Sequence, residues 1–199
     1  MVVVKKKRTT LETDIEADLK LKGAGKYQID TGIGFLDHML QLWCKHGFFD
    51  LQLKAQGDLE IDAHHTTEDT GLLLGQMLNE ALDERKGICR YGQVILPMDE
   101  TLVLTALDLG GRPYYNDNLK FDVNRVGDFP VTLVGEFFRA LTNQADINLH
   151  FKMLSGGNAH HLIEACFKGF GRAFDKALER EKRLDDSPLS TKGQLKEGE

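Results

Sequence analysis

Three cysteines in 199 residues, Cys44, Cys89 and Cys166, are too far apart and odd in number for a disulfide framework, and there is no CxxC pair for a thiolate zinc site. A reducing cytoplasm is the expected compartment. Nowhere does the chain hold the roughly 18 consecutive apolar residues needed to span a bilayer. Its opening MVVVKKKR has too short an apolar stretch for a signal peptide, and the basic run reads as solvated charge entering a first strand. Positive charge is in deficit: 25 Lys and Arg against 31 Asp and Glu leave a net charge of −6. That sign argues against a nucleic-acid binder, which usually carries a basic stripe to replace phosphate counterions, though it leaves room for a local basic pocket, and the paired strand aromatics that stack bases are lacking. Neither nucleic acid nor a membrane is therefore the expected partner; a small phosphorylated metabolite is.

What is present is ordinary globular material, 41% hydrophobic and 28% charged, enough for one sizeable domain or two small ones fused. A helical period runs through FLDHMLQLWCKH (35–46), closed by Gly47, and through HTTEDTGLLLGQMLNEALDER (65–85), closed near Gly87. DIEADLKL (14–21) and FFDLQLKA (48–55) alternate as strands. The second half repeats this order: strand 101–109, a Gly-Gly-Arg-Pro turn, helix 131–144, strand 146–153 and helix 160–180. ETDIEADLKL at Glu12 returns as ETLVLTALDL at Glu100, and HHTTED at His64 returns as HHLIEA at His160, an internal period of about 90 residues. Two α+β halves are expected, joined near residues 86–92, each with helices on one face of a mainly antiparallel sheet, so that the helices lie between the two sheets. The stretch from Asp185, rich in charge, Gly and Ser, reads as loop unless something binds it.

Each half opens its last helix with HHxxE. Residues four apart share a helix face, which pairs His64 with Glu68, His65 with Asp69, and His160 with Glu164. Adjacent histidines diverge by about 100°, so a doublet suits two ions, or one ion and a second role. A polar first turn favouring the helix N-terminus would account for one such doublet. Two at equivalent places in a duplicated chain point to two pseudo-symmetric metal sites, each joining His64 and Glu68, or His160 and Glu164, to a histidine of another doublet. The spacing is not HExxH, which removes the zinc-protease reading. Imidazoles with carboxylates suit Mn²⁺, Fe²⁺, Co²⁺ or Zn²⁺. His38, 26 residues before His64, and Glu136, 24 before His160, occupy the matching earlier helices and are further candidate ligands. A metal-storage assembly or a dinuclear phosphoesterase could use the same groups.

Taken together, RTTLET (8–13), GFLDHML (34–40), DAHHTTEDTG (62–71), DLGGRP (108–113), NAHHLIEACFKGFGRA (158–173) and STKG (190–193) resemble the imidazoleglycerol-phosphate dehydratase family over almost the whole chain. Leu11 and Leu189 stand where that family usually has lysine and proline. The resemblance implies a dehydratase domain over 1–184, with repeats of about 1–88 and 89–184 in a ferredoxin-like or ribosomal S5 domain 2-like arrangement of four strands and two helices each. It implies a tail, 185–199, that carries substrate-binding STKG. It further implies a hollow homo-oligomer of twenty-four subunits with active sites between them, each holding two Mn²⁺. The reaction removes water from D-erythro-imidazole-glycerol phosphate to give imidazole-acetol phosphate in histidine biosynthesis. An imidazolate bridging two ions would expel hydroxide and leave a diazafulvene-like intermediate with an acidic proton. Metal ligands are then His38, His64, His65, Glu68, Glu136, His160, His161 and Glu164, and these histidines with Glu68 and Glu164 also meet substrate, the two glutamates as catalytic groups. Glu12, in the Arg8–Thr10 context that Glu100 lacks, is the expected base. Lys168, one stripe along the helix from His160 and Glu164, joins Arg90, Arg112, Ser190, Thr191 and Lys192 around the phosphate.

Overall fold

The computed structural model describes residues 3–195. The first half runs β1 (Val4–Thr9), β2 (Thr13–Lys20), β3 (Tyr27–Asp30), α1 (Gly34–Gly47), β4 (Asp50–Gly57) and α2 (His64–Leu82). The second runs β5 (Tyr91–Met98), β6 (Thr101–Asp108), β7 (Tyr114–Asp117), the short pair β8 (Arg125–Val126) and β9 (Phe129–Pro130), then α3 (Leu133–Ala145), β10 (Asn148–Ser155) and α4 (Ala159–Ala177). The sheets have orders β1-β2-β4-β3 and β5-β6-β10-β7. Each is antiparallel except for its last pair, β3 on β4 and β7 on β10. The same order, polarity and helix placement recur in both halves, as the duplicated sequence requires.

Alternation along the strands decides which side of each sheet is buried. Ile15, Ala17 and Leu19 of β2 and Leu51, Leu53 and Ala55 of β4 turn inward, as do Val103 and Leu107 of β6 and Leu149 and Phe151 of β10. On the outer side of β1, Lys7 pairs with Asp14 of β2 at 3.0 Å and Lys5 with Asp18, but Lys6 and Arg8 turn to the other side and reach Glu80 and Asp69 at 2.6 and 2.9 Å, so only half of the basic run is solvated sheet surface. The four helices fill the space between the sheets, with α1 against α4 and α2 against α3. Each helix pair thus takes one member from each half. Trp43 of α1 stacks on Phe170 of α4, centroids 6.0 Å apart, and Phe138 of α3 meets Phe167 of α4 at 4.7 Å. No helix among the described residues is long and apolar enough to cross a membrane.

Helix ends differ from the sequence reading: α3 begins at Leu133 rather than 131, α4 stops at Ala177 rather than 180, and two further ends have a local cause. Phe48, not Gly47, adopts the left-handed conformation that closes α1; Gly47 lacks a side chain because a Cβ there would meet the Phe49 ring at 2.3 Å. The second helix stops at Leu82 rather than 85 because Asp83 and Arg85 take positive φ, which carries the Arg85 side chain back into the core. The segment from Asp185 is irregular, as expected, but it is fastened. The Gly87 N–H donates to the Ser187 carbonyl at 3.0 Å, and Arg90 Nη1 to the Leu189 carbonyl at 2.7 Å. Residues 196–199 of the expected tail lie outside the described residues.

Candidate active site

Asn158 starts α4 by accepting the N–H groups of His160 at 2.8 Å and His161 at 3.4 Å, and so presents both imidazoles on the first turn. One turn along, Glu164 Oε1 lies 3.1 Å from His160 Nε2. The same oxygen lies 2.9 Å from Nε2 of His38, which α1 brings across from the other half. The first turn of α1 is set by Asp37, whose carboxylate accepts the Thr31 N–H at 2.9 Å and its hydroxyl at 2.6 Å. Lys168, a further turn along α4, donates to Glu164 Oε2 at 2.6 Å and touches Met98 Sδ. Burial pushes the Glu164 carboxyl up, but hydrogen bonds from Lys168, His38 and His160 outweigh it and hold it down at about 2.

His38, His160 and Glu164 each offer a donor atom within 4.8 Å of the others. Neighbouring ligands of an octahedral ion with bonds of about 2.1 Å sit about 3 Å apart, and two imidazole nitrogens around one carboxylate oxygen meet that spacing. A cavity of about 790 Å³ opens against His38 and His160, walled by Phe35, Leu59, Ile61 and Phe129.

The first-half doublet is arranged similarly but less completely. Asp62 accepts the His64 N–H at 2.7 Å, and His64 Nε2 is 3.3 Å from Glu68. The expected His65–Asp69 pair does not form. Asp69 faces the sheet, where Arg8 of β1 approaches at 2.9 Å and Thr13 donates its hydroxyl. His65 turns instead to Asp58, with Nδ1 2.9 Å from the carboxylate, and the proximity raises its pKa above the ordinary imidazole value. Glu12, exposed on the β1–β2 turn, stands 3.8 Å from the same nitrogen. In the second half His161 Nδ1 pairs with Glu100 at 3.1 Å, with Asp99 at 3.9 Å. Backbone N–H groups of Asn158 and of Glu100 itself, with His161, hold the Glu100 carboxyl down at about 2. Neither helix spacing nor the repeat nominates Asp58 or Asp99, and Glu100 stands in the sequence only as the counterpart of the candidate base. The repeat relation of Glu100 to Glu12 was the one signal that pointed to it.

Glu136 lies in the first turn of α3, but its carboxylate is drawn to Arg139 at 3.0 and 3.1 Å, the neighbour three residues on. Among the described residues it joins neither His64 nor Glu68 in a three-donor group. Arg90, Arg112, Ser190, Thr191 and Lys192 line one groove of about 770 Å³. Arg90 is a two-pronged partner of Asp108, at 2.6 and 2.9 Å, besides gripping the tail. Lys168 is not on that groove; within one chain it is held at Glu164.

Residues 31–174 match the family model described as imidazoleglycerol-phosphate dehydratase. The chain belongs to the imidazoleglycerol-phosphate dehydratase family. It is 54% identical over 188 residues to the imidazoleglycerol-phosphate dehydratase of Acetivibrio thermocellus, covering 94% of this chain and 96% of that one. The enzyme of that name from Heliobacterium modesticaldum is equally similar, at 54% over 188 residues, with the same two shares of chain covered. Among solved structures, the dehydratase of Staphylococcus aureus superposes with a TM-score of 0.83 at 39% identity, over 91% of this chain and 100% of that one. The Pyrococcus furiosus dehydratase in complex with (S)-C348 gives 0.81 at 37%, over 96% and 100%. The activity is therefore that of a hydro-lyase, the dehydration of imidazoleglycerol phosphate in histidine biosynthesis.

Proposed function

We propose that this dehydration takes place on two Mn²⁺ ions, held by the two histidine doublets with Glu68 and Glu164 and by His38 and Glu136. The sites would be completed between copies of the chain in a cytoplasmic homo-oligomer of twenty-four. The observation that carries the reading is the convergence of His38 and His160, one from each half, on a single oxygen of Glu164. The first-half pair, His64 with Glu68, has no third donor in its own chain among the described residues, which is what favours a neighbouring copy as supplier. Ions bound there would lower the pKa of the substrate imidazole and hold it as a bridging imidazolate whose electrons help expel the hydroxyl.

Glu12 supplies the base. No side chain among the described residues hydrogen-bonds its carboxylate, and the His65 imidazole stands off at 3.8 Å. It takes the proton from the carbon beside the one losing hydroxyl, and returns a proton to the ring-adjacent carbon as the enol becomes the ketone. The phosphate falls to Arg112, Ser190, Thr191 and Lys192. Arg90 fastens the tail that brings these groups together, and Lys168 places positive charge beside Glu164.

The test uses the purified full chain with Mn²⁺ and imidazoleglycerol phosphate. Expected are the acetol product, two ions per chain and a very large particle by light scattering. Glu12→Gln is expected to abolish turnover with both ions still bound. Full turnover after complete chelation would remove the metals from the reaction, wild-type rates in Glu12→Gln would remove the base, and release of inorganic phosphate would mark a hydrolase.

A further inference from the structure

The two doublets are equivalent by duplication, yet their second histidines are anchored by carboxylates that duplication does not relate. His65 Nδ1 is 2.9 Å from Asp58, which lies between β4 and α2. His161 Nδ1 is 3.1 and 3.3 Å from the two oxygens of Glu100, which lies between β5 and β6. The repeat counterpart of Glu100 is Glu12, and Glu12 stands back from His65 at 3.8 Å. An ionised carboxylate can only accept, so in each pair Nδ1 carries a proton, and the neutral ring keeps its lone pair on Nε2.

Both residues are anchored, Asp58 through its backbone and burial and Glu100 through its carboxylate. The Asp58 N–H donates to the Glu12 carbonyl at 3.2 Å, and its side chain is only 16% exposed. Glu100 Oε1 also accepts the Asn158 N–H at 3.0 Å and the Thr101 hydroxyl at 3.1 Å, and Asn158 caps the helix that carries His161. Among the described residues, neither His65 nor His161 has a partner at Nε2.

We propose that Asp58 and Glu100 are positioning residues that, by accepting the Nδ1 proton of His65 and His161, fix the tautomer and ring direction that offer each Nε2 to a divalent cation. Assigning this task to Asp58 in the first half releases Glu12 from the pairing its counterpart makes, so that one copy of a duplicated glutamate orients a ligand while the other faces substrate. A free imidazole exchanges between tautomers and rotates; carboxylates that prevent this are worth about 10–100-fold in metal affinity. The proposal rests on the two-metal reading above.

Two measurements test it. Solid-state nitrogen NMR of metal-free protein labelled with ¹⁵N-histidine reports the tautomer directly, in an assembly of any size. Both His65 and His161 are expected to carry the proton on Nδ1, and an Nε2–H form at either ring overturns the proposal whether or not any variant folds. Mn²⁺ titration followed by electron paramagnetic resonance is then run on the wild type, Asp58→Asn, Glu100→Gln and Glu12→Gln. The first two variants are expected to weaken binding by about 10–100-fold, with Glu12→Gln unchanged. Wild-type affinity in folded Asp58→Asn and Glu100→Gln sinks this inference and leaves the two-metal reading standing. A wild type that binds no Mn²⁺ removes both.

Discussion

At the scale of single residues, the most constrained side chain outside the site is Arg85. It is 2% exposed, and its guanidinium donates to the carbonyls of Leu109 at 3.1 Å, Asp146 at 2.7 Å and Ala145 at 2.7 Å, and to the Asn79 side chain at 3.0 Å. Two of these carbonyls belong to the C-terminal end of α3, where the helix has no donors of its own to offer. Burial lowers the arginine pKa, yet a guanidinium stays charged, so the cost of removing it is carbonyls left unpaired in the interior. Arg85→Met is expected to cost about 3 kcal/mol or more in urea unfolding. Arg85→Lys is not expected to restore it, because a point charge cannot bond several diverging carbonyls. A loss under 1 kcal/mol for the methionine variant would contradict this account. On the substrate side, Lys192→Ala is expected to raise KM about tenfold or more by removing one charge-assisted bond to phosphate, with Mn²⁺ affinity unchanged. An unaltered KM would show that the tail does not reach the phosphate.

At the scale of elements, glycine sets how closely the helices approach. A Cβ on Gly71 of α2 would meet the Phe137 carbonyl oxygen of α3 at 2.7 Å, and one on Gly75 would meet that of Leu141 at 2.4 Å. By propensity alone, alanine in mid-helix gains about 1 kcal/mol over glycine. Here the obstacle is backbone, which cannot swing aside, and overpacking costs about 1–3 kcal/mol. The clash is expected to win: Gly75→Ala should lower the melting temperature despite its better helix former, and a rise would mean that α2 and α3 are free to separate. Helix periods were legible in sequence because they depend on neighbours three and four residues away. The approach of α2 to α3 was not, since Gly75 and Leu141 are brought together only when the halves dock.

At the scale of the molecule, the two repeats are interlocked, because neither buries its helices alone. Trp43, the sole tryptophan, lies in the first half and packs on Phe170 of the second; Phe49 meets Phe174 edge-on at 5.6 Å. Unfolding of the metal-free protein is therefore expected to be a single transition in which Trp43 fluorescence and far-ultraviolet circular dichroism coincide. Residues 1–88 expressed alone should remain unfolded. Two separated transitions, or a folded first half, would mean that each repeat has a sufficient core of its own.

Sequence alone determined the four helices, the central strands β2, β4, β6 and β10, and the chemistry available to them, but not β3, β5, β7 or the short pair β8–β9. Alternation and helical periods follow from local geometry, and the doublets with Glu68 and Glu164 lie four residues apart, one helical turn, wherever the helix ends up. Only the tertiary structure decided which donors meet. His38 and Glu164 are 126 residues apart and share an oxygen because α1 packs on α4. Asp69, which helix spacing gave to His65, was taken by Arg8 and Thr13 because its face of α2 lies on the sheet. Asp58 and Glu100 reach their histidines from turns whose direction depends on strand ends rather than on any repeating pattern. Spacing along a helix is a property of the backbone, whereas convergence from separate elements depends on how their buried faces fit.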